Sequence, residues 1–302
     1  MTSFYDRART ETLTVNDEQL SLTFAVIPGG PGAQFILLHG NPSHLNSWHL
    51  TVPALLPYGS VCVMDLPGFG RSQTPAHGVM SLDKMADATL AVADAVGFDK
   101  PVIVGNSFGG AVAQTYAARH PTRVTALVLL ATIGTPANPV IAMTRIPFAE
   151  AVSSFVAHRM TAWPLKGLGQ RWSVYNAKMN CAPDDVPPGF AEADFDMVVR
   201  RPEIQGNSVR ANVKDPTKQL VAQASNIKVP VRMIHPEGDR VVPMVYATNL
   251  FEVFKAHGLD VTLTTVPGGH IAHQAQAPAV NAKLVEAVRP FTAPANRSDA
   301  LR

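Results

Sequence analysis

One stretch constrains this chain more than any other. The β-branched run Val102-Ile103-Val104 leads into Gly105-Asn106-Ser107-Phe108-Gly109-Gly110, and a helix-like segment follows from Ala111 to His120. This is G-x-S-x-G set between a strand and a helix. Two such elements join over so few residues only through a sharp turn, and Gly105 and Gly109 lack the Cβ atoms that would collide where strand and helix crowd together. Ser107 is therefore expected at the tip of the turn with its hydroxyl exposed. A serine alcohol is a poor nucleophile unaided, so the reading demands a base, an acid to orient it, and donors for an oxyanion.

A base is expected late in the chain, after the last strand. Val261 to Val266 is a β-branched run that stops at Pro267-Gly268-Gly269, and His270 follows on the loop at the strand's end. His273 is the rival base. Only His270 directly follows the Gly-Gly turn, and His273, three residues on, is expected to help hold the loop. The acid is expected to leave an earlier strand. Val229 to Ile234 runs into His235-Pro236-Glu237-Gly238-Asp239-Arg240-Val241-Val242-Pro243, which puts Asp239 on a turn just past a buried strand. Its bland reading is a turn former capping the helix after Pro243. The order Ser, Asp, His differs from that of the two other well-known serine triads.

With these residues in place, the chain resembles an α/β-hydrolase fold enzyme of the capped type from roughly Thr10 to Phe291. Leu37-Leu38-His39-Gly40-Asn41-Pro42 is similar to that family's oxyanion loop, and Asp65-Leu66-Pro67-Gly68-Phe69-Gly70-Arg71-Ser72 to the turn after its fourth strand. Gly269 to Pro278 is similar to its histidine loop, with Gln276 where the family often has Glu. The resemblance implies oxyanion donors from the backbone N–H groups of Asn41 and Phe108. The Asn41 amide either adds a third donor or holds the loop. Asp65, a rival acid, and His39 are implied to be structural. His39-Gly40-Asn41-Pro42 also resembles haloalkane dehalogenases, but those use an aspartate nucleophile followed by Trp, where this chain has Ser107 and Phe108.

Length and composition agree with an enzyme of this size. A chain of 302 residues that is 46% hydrophobic can bury a sizeable core. A net charge of +2, with scattered Lys and Arg, argues against a nucleic-acid partner. The two cysteines, Cys62 and Cys181, do not suggest a disulfide framework, and with no apolar stretch behind the N-terminal charges the expectation is a cytoplasmic protein. No run reaches the roughly 18 apolar residues needed to span a bilayer, so no membrane partner is expected. No C-x-x-C, H-E-x-x-H or strand-borne G-x-G-x-x-G implies a metal or cofactor.

Along the chain, Thr10 to Val15 and Leu20 to Ile27 read as a hairpin joined by Asn16-Asp17-Glu18-Gln19. Phe35 to Leu38 and Val61 to Met64 are short continuous apolar runs that suit parallel strands covered on both faces. Leu50 to Leu56 fits a helix, and Ser81-Leu82-Asp83 opens another that stops at Gly97. Val124 to Leu130 reads as a strand, and Met244 to His257 and Ala279 to Val288 as helices. The expectation is an α/β-hydrolase fold with an eight-stranded, mostly parallel sheet and an inserted helical cap. Residues 1–135 and 226–291 form the core, 136–225 the cap and 292–302 a tail.

Within the expected cap, aromatic and methionine residues alternate with prolines, and Trp163, Trp172 and Tyr175 are the candidate substrate contacts. The competing reading is that such aromatics form the cap's own core. An apolar roof over a polar triad implies a small substrate with an apolar body and one reactive carbonyl. Arg145, Arg200, Arg201 and Arg210 are the charged candidates for greeting a carboxylate, and most arginines of this sort are simply solvated.

The expected activity is a serine hydrolase acting on a carboxylic ester or lactone through an acyl-enzyme. One alternative is carbon–carbon bond hydrolysis, because Gly105 to Gly110 resembles the elbow of meta-cleavage product hydrolases, although their Ser-Gly-Pro-Gly continuation after His39-Gly40 is missing. Another is a non-enzymatic small-ligand receptor on the same fold. Oligomeric state is not legible.

Overall fold

The computed structural model describes residues 3–76, 81–134 and 216–292, together with residues 171, 174, 175, 178, 180, 181, 186, 203, 204 and 207. Most of the expected cap, including Trp163, Trp172 and the four cap arginines, lies outside the described residues, as does the tail after Thr292.

In chain order the described elements are β1 (Arg9–Val15), β2 (Glu18–Ile27), β3 (Ala33–Leu38), α1 (Val52–Leu55), β4 (Gly59–Met64), α2 (Leu82–Ala95), β5 (Val102–Asn106), α3 (Phe108–Arg119) and β6 (Ala126–Leu130). Later in the chain come α4 (Pro216–Gln223), which falls within the expected cap bounds, β7 (Val231–Pro236), α5 (Met244–Ala256), β8 (Val261–Val266), α6 (Ala272–Ala275) and α7 (Ala277–Val288). The eight strands form one sheet in the order β1-β2-β4-β3-β5-β6-β7-β8. β1 pairs antiparallel with β2 and β2 with β4, and every other pair is parallel.

The continuous apolar runs are explained by two cores, one on each face of the sheet. Ile36 and Leu38 of β3 join Cys62, Met64, Ile103 and Leu127 in a cluster with α2, α3 and α5, through residues such as Met85, Val112 and Phe254. The alternate residues Phe35 and Leu37 join Val61, Val63, Val104 and Val128 in the other cluster, against Val52 and Leu55 of α1 and Val280, Leu284 and Val288 of α7. Strands buried on both sides need no polar face, so their sequence does not alternate.

Local signals account for the element ends. Ser81 caps α2 by accepting from the Lys84 N–H at 3.2 Å, and Gly97, at φ 72°, turns the chain away beyond its other end. The first hairpin is tighter than its sequence suggests. Val15 pairs with Glu18, so only Asn16 and Asp17 form the loop and Glu18 and Gln19 are strand residues. Asn16 at φ 54° supplies the left-handed residue that a two-residue hairpin needs.

Registers place the functional loops together. Asn106 at the end of β5 lies opposite Leu130, Leu130 opposite Ile234, and Ile234 opposite Thr264. The carboxyl ends of β5, β7 and β8 thus reach one edge of the sheet, where the loops bearing Ser107, Asp239 and His270 emerge. Open α/β sheets bind ligands at such edges.

Candidate active site

Ser107 sits between β5 and α3 with φ 53° and ψ −116°, a conformation that residues with a Cβ rarely adopt. Its surroundings force it. A Cβ on Gly105 would lie 2.4 Å from the Gly109 carbonyl oxygen, and one on Gly109 would lie 2.2 Å from that of Leu38. Backbone cannot move aside as a side chain can, so both positions require glycine. The Ser107 N–H donates to the Leu130 carbonyl at 2.9 Å, and the Gly110 N–H to the Ser107 carbonyl at 3.0 Å, which locks the turn on both sides. Helix α3 begins at Phe108, three positions earlier than the Ala111 start read from the sequence.

The three candidate residues of the sequence reading meet at this point. Ser107 Oγ lies 2.8 Å from His270 Nε2, and His270 Nδ1 lies 2.8 Å from Asp239 Oδ2. A carboxylate only accepts, so the imidazole donates through Nδ1–H and its Nε2 lone pair is left to accept from the serine hydroxyl. All three residues are less than a tenth exposed. The other carboxylate oxygen, Asp239 Oδ1, accepts from the N–H groups of Val241 at 2.9 Å and Val242 at 2.8 Å. Each oxygen of Asp239 therefore has its own task. Asp239 thus both forms its turn and orients the base, while the helix after Pro243 carries no side-chain cap.

Two further contacts fix the base. The Gly238 N–H donates to the Gly268 carbonyl at 3.0 Å, joining the acid loop to the histidine loop, and the Ile271 N–H donates to the Asn180 carbonyl at 3.1 Å. His273 is placed elsewhere: its ring packs 4.8 Å from that of Trp48, and its Nδ1 is buried without a hydrogen-bond partner among the described residues. Burial, reinforced by the neighbouring His270 and His49, pushes its pKa down to about 3.

The oxyanion loop is organised by His39. The Leu66 N–H donates to His39 Nε2 at 3.0 Å, so the ring proton resides on Nδ1, which donates to the Gly40 carbonyl at 2.8 Å. Burial keeps the ring neutral, with a pKa lowered to about 4. The Gly40 carbonyl and the Asn41 N–H belong to one planar peptide and point in opposite directions. Holding the carbonyl on His39 thus aims the Asn41 N–H the other way. Gly40 itself adjoins the nucleophile, since a Cβ there would stand 3.4 Å from that of Ser107. The Phe108 N–H is the first amide of α3 and has no intrahelical acceptor, and the positive end of the helix adds to its pull on an anion.

Asp65, the rival acid, is fully buried and engaged in structure. Its carboxylate accepts from the Leu45 and Arg71 N–H groups at 2.7 and 2.8 Å and from the Tyr5 hydroxyl. Tyr175 is exposed over 55% of its surface, and Trp163 and Trp172 lie outside the described residues. Cys62 and Cys181 are both buried and are not joined in a disulfide. Among the described residues no helix is long and apolar enough to cross a membrane.

His235 escaped the sequence reading. It is 1% exposed at the end of β7, its Nε2–H donates to the Val242 carbonyl at 2.8 Å, and the same nitrogen stands 3.8 Å from Asp239 Oδ2. The available signal was a histidine closing an apolar strand, where a buried ring must find a partner.

Known proteins match this arrangement at several levels. Residues 34–152 match the family described as alpha/beta hydrolase fold. The 2-hydroxymuconate semialdehyde hydrolase of Pseudomonas sp. (strain CF600) is 36% identical over 108 residues, which is 35% of this chain and 38% of that protein. The pimeloyl-[acyl-carrier protein] methyl ester esterase of Citrobacter koseri is 41% identical over 103 residues, 34% of this chain and again 38% of that protein. Both matches thus span well under half of the relative's length. The solved structure of a thermophilic esterase from Thermogutta terrifontis superposes with a TM-score of 0.75 at 21% identity, covering 94% of this chain and 99% of that one. Sheet order, elbow and superposition agree, and the chain has the α/β-hydrolase fold.

Proposed function

We propose that this chain is a serine hydrolase that cleaves a small, largely apolar carboxylic ester or lactone. The observation that carries the reading is the unbroken row Ser107 Oγ, His270, Asp239, with 2.8 Å at each step. In this mechanism His270 takes the proton of Ser107 as Oγ attacks the carbonyl carbon. The oxyanion is stabilised by the N–H groups of Asn41 and Phe108, and Asp239 steadies the imidazolium. His270 then protonates the departing alcohol. Water, activated by the same imidazole, releases the acyl group from Ser107. Residues 136–225, most of which lie outside the described residues, are proposed as the cap, with Trp163, Trp172 and Tyr175 as its candidate substrate contacts. The chain works in the cytoplasm on a small molecule.

Carbon–carbon hydrolysis of a meta-cleavage dienoate is the second reading, favoured by the likeness to a 2-hydroxymuconate semialdehyde hydrolase. Ester cleavage needs proton transfer to an alkoxide, whereas dienoate cleavage also needs a tautomerisation and a hold on the substrate's carboxylate. The deciding experiment combines fluorophosphonate labelling with a panel of p-nitrophenyl esters, lactones and a phenyl-substituted dienoate. Labelling at Ser107, lost in Ser107→Ala, is expected. The kcat/KM for short to medium acyl esters should exceed that for the dienoate at least about tenfold, roughly 1.4 kcal/mol in transition-state binding. A better dienoate than ester would replace the first reading by the second. Neither label nor turnover would favour a ligand receptor.

A further inference from the structure

His235 is an unusual residue to find at the end of a buried parallel strand. Its neighbours Met233 and Ile234 are apolar and 2% exposed, and a ring N–H enclosed there must be satisfied or cost stability. The acceptor it finds is the Val242 carbonyl, at 2.8 Å. Val242 is also the residue whose N–H, with that of Val241, holds Asp239 Oδ1. The bond from His235 to Val242 therefore closes the loop 236–242 across its base, and Asp239 is carried inside the closed loop.

We propose that His235 is a positioning residue for the acid: by holding Val242 it sets the plane of the Asp239 carboxylate, so that Oδ2 faces His270. The inference rests on the triad reading given above. Burial lowers the pKa of His235 and keeps its ring neutral, against the pull of Asp239 and of the Val242 carbonyl; Asp239 and His270 are the titratable groups acting on it. Neutrality matters to the mechanism. A cation 3.8 Å from Oδ2 would compete with the His270 imidazolium for the same carboxylate.

Three variants of the full chain test this, each measured for ester kcat and KM, rate of fluorophosphonate labelling and thermal midpoint. His235→Gln keeps an N–H close to the position of Nε2. His235→Phe fills the ring's space without a donor, and the amide of His235→Asn is too short to reach Val242. His235→Phe and His235→Asn are expected to lose about 10- to 100-fold in kcat, as displacing a catalytic group by a fraction of an ångström does, with KM within about twofold of wild type. His235→Gln should recover kcat to within about threefold of wild type. A residue that only packs would lower the thermal midpoint without this split between kcat and KM. Equal kcat in His235→Asn and His235→Gln would overturn the proposal, even if His235→Phe failed to fold. A wild-type chain that neither labels at Ser107 nor turns over esters would remove the triad reading and this inference with it. That outcome is distinct from variants that match an active wild type.

Discussion

At Ser107 the backbone is held at φ 53° and ψ −116°, a cost on the order of 1–3 kcal/mol that the surrounding strand and helix must offset. The conformation lifts the hydroxyl to the edge of the sheet, where His270 Nε2 meets it at 2.8 Å. The chemistry at this scale depends on which histidine bonds to what. His270 has a serine on one nitrogen and a carboxylate on the other, whereas His273 faces Trp48 and is kept neutral by burial. His270→Ala should therefore lower kcat at least about a thousandfold, the loss expected when a general base and its coupled nucleophile fail together. His273→Phe, which keeps a ring against Trp48, should cost less than about tenfold in steady-state assays on a p-nitrophenyl ester. Reversed magnitudes would move the base to His273. The sequence distinguished these two through the Gly268-Gly269 turn that precedes His270. It could not show that Asp239 divides its two oxygens between loop and base, because both bonds depend on how the loop folds back.

At the scale of elements, the strand-turn-helix unit of β5, Ser107 and α3 is the part least open to change. Gly105→Ala would place a Cβ 2.4 Å from the Gly109 carbonyl oxygen and 2.7 Å from the Gly110 Cα, both backbone atoms of the helix that α3 must begin. The variant is expected to lose on the order of 3 kcal/mol of stability by chemical denaturation, the upper range for overpacking, and to lose labelling at Ser107. A change below about 0.5 kcal/mol would mean that the elbow is looser than the described backbone. All eight strands were legible because continuous β-branched runs and their Gly, Pro and Asn boundaries are local signals. Helix ends were less so: the helix read from Leu50 to Leu56 is α1 over Val52–Leu55 with 3₁₀ turns beside it, since Pro53 and Pro57 remove backbone donors. The hairpin loop shrank from four residues to two because cross-strand pairing of Val15 with Glu18 outweighed the polar composition of the turn.

Over the whole molecule, buried neutral histidines tie stability to pH. His39 and His273 have pKa values lowered from 6.5 to about 4 and about 3, both by burial. The unfolded chain binds protons at these sites below pH 6.5, while the folded chain resists binding until the lowered values are reached, so stability rises with pH across that window. Their contribution is present above pH 6.5 and is lost as the pH falls toward about 4, by roughly 1.4 kcal/mol per pH unit for each histidine. The urea midpoint should fall steadily from pH 7 to pH 5, and His273→Phe should flatten that slope. Identical midpoints at pH 7 and pH 5 would contradict the burial of these rings.

The sequence by itself determined the eight strands, their order along the chain, the elbow, and the loops on which Ser107, Asp239 and His270 lie, because periodicity, β-branching and turn residues act over a few positions. Only the tertiary structure decided that residues 163 positions apart share a hydrogen bond, since this follows from β5, β7 and β8 ending together at one edge of the sheet. The same holds for the tautomer of His39 and the grip of His235 on the acid loop. Each depends on which buried donor finds which acceptor, and that pairing is set by packing between distant segments rather than by any local pattern.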